Sequence, residues 1–179
     1  MEERLQFILG STNDWLKFAE AKNASLIVID SAIAFAGIDR LTSATAPSCL
    51  ARIYLIFAAL ALAVSALLSL ISFLPRTRLG ALKAQREPLP NDNLVFFEHI
   101  AAYSPSTYVT AIYARAGSVS AGTIALEQDY AAQIIANSRI TRRKNMLFGA
   151  AAWTTVAALF TPLTAVILYF LLRTRQAVQ

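Results

Sequence analysis

Glu98-His99 is the nearest thing to an acid–base couple in this chain, and His99 is its only histidine. Adjacent residues do not share a helix face, so the pair does not form a catalytic dyad by itself. His99 reads by default as an ordinary polar helix residue, with a ligand contact as the alternative. Cys49 is the only cysteine, which excludes an internal disulfide and a cysteine-based zinc site. No serine or cysteine has a recognisable base partner, and neither a metal-binding cluster nor a phosphate loop of the Walker type is present. The expectation is a protein that is not an enzyme, with no catalytic residue, bound metal or resident cofactor.

Binding chemistry is better represented. Phe96-Phe97 with Tyr103, Tyr108 and Tyr113 forms an aromatic-rich stretch. Such a stretch packs a small helical core, or stacks a flat base beside Arg and Asn. Gln133, Asn137 and Ser138 interrupt an Ala/Ile-rich segment. They read as a solvated face, a hydrogen-bonding strip between paired helices, or a strip that reads base edges. Arg139, Arg142, Arg143 and Lys144 follow. A cytoplasmic basic anchor accounts for them, and phosphate binding is a second use. Asp30 stands apart inside an apolar stretch, where a carboxylate is costly and often functional.

The elements that must position these groups are set by hydropathy. Ile53–Leu74 is 22 residues without a charge and Met146–Leu172 is 27. About 20 apolar residues cross a bilayer core as helix. A third, shorter run, Ala24–Ile38, carries Asp30. With three spans and a cytoplasmic N-terminus, twelve of the sixteen Lys/Arg fall inside, which the positive-inside rule favours over two spans. The chain therefore reads as an all-α integral membrane protein with three transmembrane helices and a small cytoplasmic helical unit between the second and third. Its parts are an amphipathic N-terminal helix (1–22), a transmembrane hairpin (23–74), a cytoplasmic sensor segment (75–145), a third span (146–172) and a tail (173–179).

Leu5, Ile8, Leu9, Thr12, Trp15, Leu16 and Ala19 follow helical spacing. That helix lies on the membrane surface or packs on the middle segment, and can run into the first span. Pro75 ends the second span, and Arg76, Arg78, Lys83 and Arg86 form a basic anchor against anionic lipid. Leu94–Tyr103 is expected as a short helix capped by Asp92 or Asn93. Ser104-Pro105 opens the next, to about Arg115. Gly117–Gly122 is a break, and a long helix starts near Thr123. Pro162 is expected to kink the third span. No internal repeat, coiled-coil heptad or low-complexity tract is evident.

Several short motifs occur in a particular order. Ala21-Lys22-Asn23-Ala24-Ser25-Leu26 opens the first apolar run, and Leu74-Pro75-Arg76 ends the second. Asn93-Leu94-Val95-Phe96-Phe97, Ile100-Ala101 and Tyr108 come next, then Gln133-Ile134-Ile135-Ala136-Asn137-Ser138 and Lys144. Together these resemble the Pycsar effector domain, the transmembrane effector of bacterial pyrimidine-cyclase antiphage systems. Asp30 departs from the pattern, which is small or apolar there. The resemblance implies an antiphage effector in the bacterial inner membrane, a multi-pass protein activated by cyclic UMP or cyclic CMP. It implies impairment of that membrane and growth arrest or death of the infected cell. The partners expected are a cyclic mononucleotide, the lipid bilayer and further copies of the same chain, with no nucleic acid. The expected ligand residues are Asn93, Phe97, His99, Tyr130, Gln133, Asn137 and Arg142. Phe97 and Tyr130 would stack the base, the three amides would read its edge, and Arg142 would meet the phosphate. The alternatives are a membrane-anchored adaptor with no small ligand, and a constitutive channel with Asp30 as its ion site.

Overall fold

The computed structural model describes residues 1–44, 47–74, 86–117 and 125–177, side chains included as far as 161. The elements are α1 (Glu2–Thr42), α2 (Cys49–Phe73), α3 (Phe97–Ile100), α4 (Pro105–Arg115) and α5 (Ala125–Ala177), and no strand occurs among the described residues. Pro75, Arg76, Arg78, Lys83 and Thr123 fall outside the described residues, as do all but the first residue of the expected Gly117–Gly122 break and the side chains of Pro162 and the basic tail. The helix assignment of α5 continues through position 162. The chain divides into two compact units. One combines Met1–Lys22 with Phe73–Met146, the other Asn23–Ser72 with Leu147–Gln179.

The first unit is built on a core of Leu5, Ile8, Leu94, Ile100, Tyr108, Val109, Ile112, Ala131, Ile134 and Ile135. Leu5, Ile8, Thr12 and Ala19 are the buried line of α1, so this face of the helix packs on the middle segment. α1 is also continuous with the stretch expected as the first span. Tyr108 is the largest fully buried side chain. Its hydroxyl donates to the Leu94 carbonyl, and burial pushes its ionisation well above the usual range for a phenol.

Within this unit α1 and α5 run parallel. Gln6 donates to the Tyr130 hydroxyl at 3.2 Å, and Asn137 donates to Asn13 at 2.7 Å, each pair 124 residues apart in sequence. Lys144 sits 3.0 Å from Glu20, and Lys22 donates to Asn145 at 2.8 Å. The first three pairs recur every seven residues on both helices, the period at which a two-helix seam keeps facing itself. No heptad was expected from the sequence, because this one is written in polar pairs and not in apolar residues. The basic anchor expected at the end of this segment is partly a seam element: Lys144 is buried, paired with Glu20 and placed over the Phe73 ring at 5.3 Å.

Ser104 opens α4 with a reciprocal capping box to Thr107, and Pro105 occupies its first turn, as expected. Gly117 follows with φ 65°, a conformation that glycine adopts without strain. The expected helix Leu94–Tyr103 shrinks to the four residues of α3. Asn93 and Asp92 do not cap it. Asn93 Oδ1 accepts from the Val95 amide in a local turn, and Asp92 is engaged elsewhere.

In the second unit α2 runs antiparallel to α5, since Tyr54 donates to the Ala158 carbonyl and Ser65 to that of Ala151. Its inward residues are Leu62 and four that are small or hydroxylated, Ala58, Ser65, Ser69 and Ser72. Its large apolar residues, among them Leu50, Ile53, Phe57, Leu60 and Leu67, point outward. Lipid, not water, favours that distribution. Among the described residues α2 is the one helix long and apolar enough to cross a membrane. The other two expected spans correspond to the C-terminal parts of α1 and α5.

Tyr108→Phe strands a buried carbonyl and should cost about 1–2 kcal/mol. Tyr103→Phe should cost less, because that hydroxyl reaches the Leu89 carbonyl only at 3.4 Å. Denaturation of the detergent-solubilised variants measures both.

Candidate ligand-binding face

The residues around α3 are held by a tightly wound segment, 86–103. Asp92 is its pivot. Both Asp92 carboxylate oxygens take hydrogen bonds from Arg86, at 2.6 and 2.9 Å, and one also accepts from the Leu89 amide at 2.9 Å. The Arg86 bond, with the Leu89 amide adding to it, holds the Asp92 carboxyl below its ordinary range despite burial. Arg86 was expected as a lipid anchor. The structure makes it the partner of Asp92, because a buried carboxylate needs a counter-charge. Two further arginines bind backbone. Arg115 donates to the Asp92 and Pro90 carbonyls, both at 2.9 Å, and Arg139 donates to those of Ala101 and Tyr103 at 3.0 and 2.8 Å. Burial lowers the Arg139 guanidinium from its usual value, although an arginine remains charged.

On this frame the ring of His99 is fixed. Its Nδ1 accepts from the Asn93 amide at 2.8 Å and lies 3.7 Å from Asp92 Oδ1, so Nε2 is the ring nitrogen turned away from these contacts. Nε2–H is therefore the donor that His99 can offer to a ligand. The ring meets Phe96 edge-on at 5.5 Å. Phe97 is buried against Phe96 at 4.8 Å and Trp15 of α1 at 5.5 Å. Arg142 lies 3.9 Å from Glu98, and its Nε makes no hydrogen bond among the described residues. This guanidinium is only loosely engaged and half-buried.

The seven expected residues thus fall into two sets. Asn93, Phe97, His99 and Arg142 gather around α3. Tyr130 and Asn137 lie on the seam with α1, bonded to Gln6 and Asn13, and Gln133 between them is exposed. Tyr130 and Arg142 are separated by about 18 Å along α5, at 1.5 Å per residue, more than one mononucleotide bridges. Asn137 takes the reading of a strip between paired helices.

Sequence reasoning missed Trp15 as part of the aromatic cluster, and Asp92, Arg115 and Arg139 as its scaffold. Trp15 lay on the apolar line of the N-terminal helix, but nothing in the sequence places it beside Phe96. The arginines could not be told from topology charges. No group of three or more His, Cys, Asp or Glu side chains placed to hold a metal ion occurs among the described residues.

Asp92 has a lower carboxyl pKa folded than unfolded. Its contribution is complete above the ordinary carboxylate value of about 3.9 and disappears as pH falls through the folded value. Asp92→Asn should therefore melt lower at neutral pH and lose less on acidification than the parent chain, measured as melting temperature from neutral pH to about 3.

A family model described as the Pycsar effector protein domain matches residues 4–172. No curated protein and no solved structure matches the chain.

Proposed function

Because the chain belongs to the Pycsar effector family, we propose that it is an antiphage effector which senses a cyclic pyrimidine mononucleotide and impairs the inner membrane, arresting or killing the infected cell. The observation that carries this reading is the extent of the family match, which takes in both compact units. The first unit is the cytoplasmic sensor. The second is the membrane part, with three spans formed by α2 and the C-terminal parts of α1 and α5. The outward-facing large apolar side chains of α2 support that placement.

Ligand binding falls to Asn93, Phe97, His99 and Arg142. His99 offers a donor at Nε2, Arg142 a cation for the phosphate, and the Phe96–Phe97 rings an aromatic edge for the base. Tyr130 and Gln133 lie about 18 and 13.5 Å from Arg142 along α5, and Asn137 is committed to Asn13, so this second set does not serve the same ligand. A site using both sets draws the second from another copy, which makes the active form a homo-oligomer. Occupation pulls Arg142 from Glu98 of α3, and Arg142 lies on α5, the helix that also supplies the last span, so the signal has a covalent route to the membrane part. The reading requires no catalysis and no nucleic acid.

A second reading, a membrane adaptor without a small ligand, draws support from the exposed aromatic face of α1 formed by Phe7, Trp15 and Phe18.

Thermal unfolding of the detergent-solubilised chain against cyclic nucleotides separates the two. Cyclic UMP or cyclic CMP at a hundredfold excess over Kd should stabilise the fold by about 2.7 kcal/mol. Arg142→Ala and His99→Ala should reduce the shift. An unchanged shift in both variants overturns the site, and no shift with any cyclic nucleotide in folded protein returns the adaptor reading.

A further inference from the structure

The second unit contains a carboxylate whose surroundings do not balance its charge. Asp30 is 1% exposed. Thr155 donates to its Oδ1 at 2.7 Å. The Thr155 hydroxyl lies 2.9 Å from that of Ser65, and Ser65 donates to the Ala151 carbonyl at 2.9 Å. The same carbonyl is 3.2 Å from Thr155 Oγ1. Two hydroxyl protons thus serve three acceptors, and Asp30 Oδ2 is buried with no hydrogen-bond partner among the described residues. One turn along α2 the Ser69 hydroxyl is also buried with none.

A buried carboxylate needs a counter-charge or must give up its own. No ion pair to Asp30 occurs among the described residues, and the basic residues whose side chains are described in this unit, Arg40 and Arg52, are exposed. Arg40 instead bonds to Ser43 at its own helix end. The atoms that converge are all oxygens: one carboxylate, two hydroxyls and a backbone carbonyl. Hard cations prefer such a set, and soft metals do not. A divalent ion would demand more ligands, six to eight for calcium, and would leave excess positive charge beside a single carboxylate. A monovalent ion leaves the site neutral.

We propose that Asp30, Thr155, Ser65 and the Ala151 carbonyl form a monovalent cation site of the sodium or potassium class inside the second unit. The unpartnered Asp30 Oδ2 supplies a ligand oxygen that no hydrogen bond occupies, and Ser69 continues the polar line one turn along α2. The site rests on this unit alone, so it stands or falls separately from nucleotide sensing.

Equilibrium binding of radioactive sodium to the detergent-purified full chain tests it, in choline buffer of constant ionic strength. The parent chain should bind sodium saturably, with displacement by unlabelled sodium or potassium. Asp30→Asn should abolish that binding, and Ser65→Ala with Thr155→Val should weaken it at least tenfold while leaving the Asp30 charge in place. Circular dichroism checks that each variant keeps its helices, and the double variant carries the test if Asp30→Asn fails to fold. Absence of saturable binding by the folded parent chain overturns the site. So does equal binding by either folded variant, or a stability that follows pH and ignores sodium, which would assign the charge balance to a proton on Asp30.

Discussion

The polar seam between α1 and α5 is the constraint on which the rest of the first unit depends. Apolar contacts alone tolerate sliding of one helix past another. The Asn13–Asn137 amide pair and the Glu20–Lys144 ion pair do not, because a shift of one residue would leave Lys144 buried without its counter-charge. A seven-residue spacing of such pairs fixes both orientation and register, in the way a buried asparagine does in a two-stranded coil. In the second unit the same two helices are linked by Thr155 and Asp30 at an almost identical offset. The polar residues that hold the helices in register therefore include the one carboxylate in this unit that is both buried and only half satisfied.

The remaining parts of the first unit hang on that pair. The Leu94–Ile100 segment and α4 fill the apolar side of α1 and α5, and three arginines fix the winding segment that carries His99. Arg86 neutralises Asp92, Arg115 binds the turn before it, and Arg139 reaches from α5 to the carbonyls after α3. Arg142, one turn beyond Arg139 on α5, is the cation left with a distant partner. A ligand phosphate would therefore meet a charge that the scaffold does not need.

Much of this was legible in the sequence. The buried line of α1, the Ser104-Pro105 start of α4, the long helix that continues past Lys144 and the apolar α2 all follow from periodicity and capping chemistry. The α3 region did not, because Asp92 and Asn93 have equally good uses as caps and as turn residues, and only the approach of Arg86 and Arg115 decides. The seam was hidden because hydrogen-bonding pairs on helices far apart in sequence carry no apolar signature. The candidate residues were chosen by type, and type alone could not reveal that Tyr130 and Asn137 already serve α1. Asp30 was marked as unusual, and what surrounds it required α5 to be folded beside it.

Sensing and membrane damage are two halves of one claim, and dye release from vesicles reads both together. Purified chain in liposomes of bacterial inner-membrane lipid should retain an encapsulated dye until cyclic UMP or cyclic CMP is added on the side facing the first unit, and then release it. Release that is independent of the nucleotide, or no release from protein shown to be folded and inserted, would contradict the account.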